Sequence, residues 1–151
     1  MKLSTKGRYG VKAMFELALA HGNGPTSLNI IAEKQNLSIH YLEQLFSSLR
    51  KAELVRSIRG AQGGYILARN PEEITVGEII RTLEGPLAPS DCVIENEDKG
   101  HDCNRAGCCV TRTVWKKIWD SINDVVDNIT LQDMIDDHDK MTSEEGYMYY
   151  I

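Results

Sequence analysis

No stretch of this 151-residue chain approaches 18 consecutive apolar residues, so no membrane-spanning helix is expected. The basic opening MKLSTKGRYG is not followed by an apolar signal core, because Lys12 and Glu16 interrupt VKAMFELALA. No secretory signal is expected, and the chain is read as cytoplasmic. There is no Gly-x-Ser-x-Gly, no His-Glu-x-x-His, no Gly-rich loop ending in Gly-Lys-Ser/Thr, and no His-x-Glu with Pro-Cys-x-x-Cys. With those motifs go the common hydrolase, zinc-protease, nucleotide-hydrolysing and deaminase chemistries, and no enzyme is expected. Cys-x-x-Cys pairs are missing too, which weighs against a zinc knuckle. Cysteine itself is absent outside residues 92–109.

What is present is a chain of about one domain with an appendage. Its net charge of −5 is unevenly placed. Residues 1–75 hold ten Lys/Arg and six Asp/Glu, giving +4, and the remainder holds seven and sixteen, giving −9. A basic first half and an acidic second half fit one face for an anionic partner and another for something else. Since +4 is modest, any grip on DNA depends on local placement of cations.

Helical spacing of Val11, Met14, Phe15 and Ala18 predicts a first helix that stops at His21-Gly22 and Gly24-Pro25. Ser27 caps a short second helix with Leu28, Ile31 and Ala32, broken at Asn36-Leu37. Ser38 caps a third, with Leu42, Leu45, Phe46 and Leu49 on one face. Two short helices this close together read either as a helix-turn-helix or as part of a small helical bundle. The segment that follows favours the former. Leu54–Arg59 and Tyr65–Ala68 form two short strands around Gly60-Ala61-Gln62-Gly63-Gly64, with Arg59 at the base of the hairpin. A hairpin directly after a helix-turn-helix is a wing, and an arginine there suits a narrow minor groove.

Thr75 and Glu78 form a capping box for a fourth helix carrying Ile79, Ile80 and Leu83. Residues 86–108 then lack periodicity. From Val110 an apolar stripe runs through Val114, Trp115, Ile118, Trp119, Ile122, Val125, Val126 and Ile129. Such a helix packs either on its own domain or on a second copy. The second is preferred here, because an operator with two half-sites calls for two readers. Thr130 and Asp133 open a short acidic turn. The expected organisation is a DNA-binding unit (1–85), a cysteine-rich loop (86–109), a dimerisation helix (110–129) and a C-terminal tail (130–151). The fold class is mainly α with a small β-hairpin wing.

The runs Leu3-Ser4-Thr5-Lys6-Gly7-Arg8-Tyr9, Tyr41-Leu42-Glu43-Gln44-Leu45-Phe46, and Arg59-Gly60 through Gly63-Gly64-Tyr65 resemble the IscR/NsrR/CymR family of winged-helix transcription regulators. The resemblance spans nearly the whole chain and is most specific over residues 3–85. It implies a homodimer on double-stranded DNA with a two-fold operator. By position, Ser38, His40, Tyr41, Glu43 and Gln44 face the major groove, where Glu43 suits a cytosine amino group and Gln44 an adenine. Arg59 reaches the minor groove. Lys2, Lys6, Arg8, Arg50 and Lys51 are candidates for phosphate. Tyr41 has a plainer alternative, packing against the first helix, and Arg50 and Lys51 another, a solvated face.

In the cluster-binding branch of that family, three cysteines hold a [2Fe–2S] centre with five residues between successive ones. Cys103 and Cys109 have that spacing, whereas ten residues separate Cys92 from Cys103. The resemblance therefore implies Cys92, Cys103 and Cys109 as ligands. The fourth position stays open among Cys108, His101, an exogenous ligand and a side chain of the partner subunit, because Arg112 and Arg8 stand where family ligands are found. A thiol redox switch using the vicinal Cys108 and Cys109, or a zinc site, is the rival reading. The terminal Glu145-Gly146-Tyr147-Met148-Tyr149-Tyr150-Ile151 resembles the end of the cysteine-metabolism repressors, which are partnered by cysteine synthase. A carboxylate preceded by aromatics suits insertion into a pocket. The alternative is that these aromatics fold back on the core.

Overall fold

A computed structural model describes residues 2–94 and 107–148. Helix α1 (Thr5–Leu19) is followed by α2 (Leu28–Gln35) and α3 (Ile39–Lys51), then by strands β1 (Val55–Ile58) and β2 (Gly64–Leu67). Helix α4 (Val76–Glu84), long helix α5 (Val110–Asp127) and α6 (Leu131–Met148) complete the chain, with 3-10 turns at Pro71–Glu73 and Asp91–Val93. This is the expected mainly α architecture with a hairpin wing.

Local signals set most of the boundaries. The Ser27 and Ser38 hydroxyls accept from the amides of Ile30 and Tyr41, satisfying first-turn donors that the helices leave unpaired. Asn36 closes α2 in the left-handed region at φ 52°, which an Asn side chain tolerates. The capping box read at α4 is formed: Glu78 N donates to Thr75 Oγ1 at 3.2 Å, and Thr75 N donates to Glu78 Oε2 at 3.0 Å. β1 and β2 pair antiparallel with Val55 opposite Leu67 and Ile58 opposite Gly64. Arg59 follows β1 directly, so it begins the wing turn rather than sitting at the hairpin base.

The core lies between α1, α3, the wing and α4. Met14, Phe46, Ile31, Leu42, Leu49 and Ile79 are fully enclosed. Phe46 of α3 packs on Tyr65 of β2 with ring centroids 4.8 Å apart, so the wing is held at a fixed angle to the third helix. Truncating such a buried Phe typically costs about 3–5 kcal/mol. The wing root is tied a second time, where Thr26 and Tyr65 exchange backbone hydrogen bonds of 3.0 and 2.8 Å.

Helix α4 lies close against α1. A Cβ on Gly10 would fall on Leu83 Cδ1, and one on Gly7 would fall on Glu84 Oε1. These two glycines, one turn apart, let the helix backbones approach. On its other side α4 meets α5, where Arg81 reaches Asp127 and Asn123. The short acidic turn expected after Thr130 is instead the start of an 18-residue helix. Leu131 of α6 is buried, Met134 and Ile135 pack on the core, and His138 meets Phe15 of α1 edge-on at 5.5 Å. Tertiary contact with α1 holds a helix whose own apolar stripe is thin.

Candidate nucleic-acid interface and cysteine segment

The first turns of α3 form one exposed polar surface. Ser38 is at the N-cap, and His40, Glu43 and Gln44 are all exposed on the outer face, opposite buried Leu42, Leu45 and Leu49. His40 Nδ1 lies 3.8 Å from Glu43 Oε2, and its Nε2 lies 3.4 Å from Gln44 Nε2. Donors and acceptors thus stand side by side at the tip of a helix, which is the arrangement that reads base edges. Tyr41 is different. It is half-buried, sits edge-on to Tyr9 at 6.0 Å, and its hydroxyl donates to Thr5 Oγ1 at 3.4 Å. It joins the start of α1 to the start of α3.

Lys6 and Arg8 are both exposed in the first turns of α1, the end that Tyr41 joins to α3. Arg59 is exposed at the wing turn, and Arg50 at the far end of α3. Arg56 on β1 is also exposed and lines one hollow with Arg50 and Arg69. No sequence motif marks it, and burial along β1 does not alternate, since Arg56, Ser57 and Ile58 are all exposed. Glu84 was missed as well. Its carboxylate accepts from Ser4 Oγ at 2.6 Å and from Gly7 N at 3.0 Å, capping α1 from another helix.

Helix α5 has no buried residue. Val114, Trp115, Ile118, Val125 and Ile129 are exposed between 38% and 57%. An apolar stripe left open on a single chain is the surface a second copy would cover.

Cys92 lies half-buried in the turn Asp91–Val93, with Sγ 3.3 Å from Ser90 Oγ. Cys109 stands at the N-cap of α5, with Sγ 3.1 Å from Thr111 Oγ1, and Cys108 beside it is exposed. Cys103 and His101 lie outside the described residues. Among the described residues no three His, Cys, Asp or Glu side chains come together as a metal-holding group. The described thiols alone therefore do not assemble the donor set a [2Fe–2S] cluster needs. Arg112 has a distinct use. Its Nε donates to the Cys92 carbonyl at 3.0 Å, clamping the first turn of α5 to the Cys92 segment. Among the described residues no helix is long and apolar enough to cross a membrane.

Residues 3–137 match the Rrf2 family, described as iron-dependent transcriptional regulators. The HTH-type transcriptional regulator CymR of Bacillus subtilis (strain 168) is 50% identical over 151 residues, covering 100% of both chains. A solved structure of CymR (YrzC), the global cysteine regulator of B. subtilis, is 52% identical with TM-score 0.73, covering 89% of this chain and 95% of the other. A solved structure of T. potens IscR is 51% identical with TM-score 0.78, covering 99% of this chain and 97% of the other. Match, wing and open α5 face agree, and the chain belongs to the Rrf2 family of dimeric, DNA-binding transcriptional regulators.

Proposed function

We propose that this chain regulates cysteine metabolism as a homodimer on a two-fold operator. The observation that carries this reading is the alignment with B. subtilis CymR, which runs end to end at 50% identity and so includes the C-terminal segment. The α3 tip enters the major groove with Ser38, His40, Glu43 and Gln44, beside Tyr41. Arg59 enters the minor groove, and Lys6, Arg8 and Arg50 contact phosphate. Dimerisation through α5 sets the spacing of the two α3 tips. Regulation runs through residues 147–151, which bind cysteine synthase, and through the loop thiols acting as a redox switch. The test is DNA binding with and without cysteine synthase. Added enzyme should change operator affinity for the full chain and leave a chain ending at residue 146 unaffected. Equal response of the two chains rejects the tail as the docking segment.

A second reading has its own support. The T. potens IscR structure covers 99% of this chain, and the matched family is described as iron-dependent. On this reading Cys92, Cys103 and Cys109 hold a [2Fe–2S] cluster, with Cys108 or His101 as the fourth ligand. Anaerobic reconstitution separates the two. Coloured protein with equal iron and sulfide, bleached by Cys92→Ala, supports the cluster; colourless, iron-free protein supports the thiol switch.

A further inference from the structure

Ser4 stands at the N-cap of α1, yet its hydroxyl caps nothing in its own helix. It donates instead to Glu84 Oε1 at 2.6 Å, and the same oxygen accepts from Gly7 N at 3.0 Å. One carboxylate, held out by the last residue of α4, therefore anchors the first turn of α1. The site is built for it: Gly7 is buried, and a Cβ there would occupy the place of the carboxylate oxygen. A negative group at a helix N-terminus also interacts favourably with the helix dipole. Ser4 and Gly7 belong to the Ser4-Thr5-Lys6-Gly7-Arg8 run, whose outward cations the DNA reading uses while leaving its Ser and Gly without a role.

The anchored turn is the one that matters for DNA. Thr5, between Ser4 and Lys6, accepts from Tyr41 at the head of α3. Tyr9, one turn on, packs edge-on to the same ring. The first turn of α1 is thus gripped on one side by Glu84 and on the other by the head of α3, and Lys6 and Arg8 in the same stretch of α1 are exposed. The α4 helix that makes this grip is itself tied to α5. Arg81, three residues before Glu84, is bound to Asp127 of α5.

We propose that Glu84 is a positioning residue for DNA binding: it holds the first turn of α1, and so Lys6 and Arg8, at the height of the phosphate backbone. It touches no nucleotide. Without it the first turn frays, because an exposed helix end depends on its cap, and the two cations swing with it. This rests on the assignment of Lys6 and Arg8 to phosphate made above.

The test is the salt dependence of operator affinity. Each phosphate contact contributes close to one unit of the slope of log K against log salt. A dimer that loses the Lys6 contact in both subunits loses about two units. Glu84→Ala should lower the slope by about that amount or more. Gly7→Ala, which displaces the carboxylate while retaining it, should do the same. Glu84→Gln keeps an acceptor for Ser4 and Gly7 and should retain most of the slope. A purely structural role would lower thermal stability and leave the slope of the folded protein unchanged. The double variant Lys6→Ala/Arg8→Ala is the reference. If it leaves the slope unchanged, the phosphate assignment falls and the role of Glu84 falls with it. If it flattens the slope while Glu84→Ala and Gly7→Ala do not, the role of Glu84 alone is overturned.

Discussion

Arg81 of α4 and Asp127 of α5 are joined by one nitrogen shared between two oxygens: Arg81 Nη2 lies 2.7 Å from both Oδ1 and Oδ2 of Asp127. Asn123 Oδ1 accepts from the same nitrogen at 2.9 Å. This junction connects the DNA-binding unit to the helix that carries the dimer face. Its side chains are 33% and 46% exposed, so solvent screens much of the attraction. Exposed pairs contribute about 0.2–1 kcal/mol. Arg81→Ala should therefore cost about 1 kcal/mol and lower the melting temperature by about 2–4 °C. A double-mutant cycle with Asp127→Ala, followed by thermal unfolding, checks that the loss belongs to the pair.

The open stripe on α5 predicts how the chain assembles. Ile118, at its centre, is 39% exposed in the single chain. Ile118→Asp would place a charge inside the face that a second copy covers, which an apolar interface does not tolerate. Sedimentation should show a dimer for the native chain and a monomer for the variant, with helical content retained. Operator affinity should fall sharply, because two linked readers bind more tightly than one.

Glu43 predicts a change of specificity rather than of grip. It is exposed on α3, with its Oε2 3.8 Å from His40 Nδ1. Glu43→Ala should weaken the preference at one symmetry-related base pair by about 1–3 kcal/mol. Its salt slope should stay as in the native chain, in contrast to Lys6→Ala, which weakens all sequences alike. Binding to operators substituted one base pair at a time distinguishes the two.

Asp133 carries a pH-dependent contribution at the head of α6. The Thr130 backbone amide donates to its carboxylate at 2.8 Å and the Thr130 hydroxyl at 3.0 Å, holding its pKa below the ordinary 3.8. A depressed carboxyl stabilises the fold fully above its unfolded value, and that contribution is lost as pH falls through the lower folded value. The start of α6 should loosen only in acid, below about pH 4. Asp133→Asn should remove the dependence. Carboxyl chemical shifts followed from neutral to acidic pH, with helicity measured alongside, give the check.

These expectations differ in how visible they were in the chain. The capping box at Thr75 and Glu78, the Ser27 and Ser38 caps, the glycine-turned wing and the long α5 stripe all follow from local rules, and each is where those rules put it. Helix α6 looks like a short turn from sequence alone, because its first eleven residues offer only Leu131, Met134, Ile135 and Met141 as apolar positions amid acidic ones. Its first two turns are fixed by tertiary packing, above all Leu131 in the core and His138 against Phe15 of α1. Such contact between distant segments leaves no periodic trace. The role of Glu84 was hidden for the same reason, since it caps a helix 77 residues away. Arg112 marked a departure from the family ligand pattern; its hydrogen bond to the Cys92 carbonyl explains what the position does instead.

On the proposed reading, two copies of the α3 tip read a two-fold DNA site through Glu43 and Gln44, flanked by wings that place Arg59 in the minor groove. Selection of bound sequences from a random duplex pool by the native chain tests it most directly. The enriched site should be an inverted repeat whose half-sites lie on one face of the duplex, with A·T-rich positions where the wings reach. The same selection with Glu43→Ala should lose one symmetric pair of positions and keep the rest. An enriched site with no two-fold symmetry, or no enrichment over the starting pool, would contradict it.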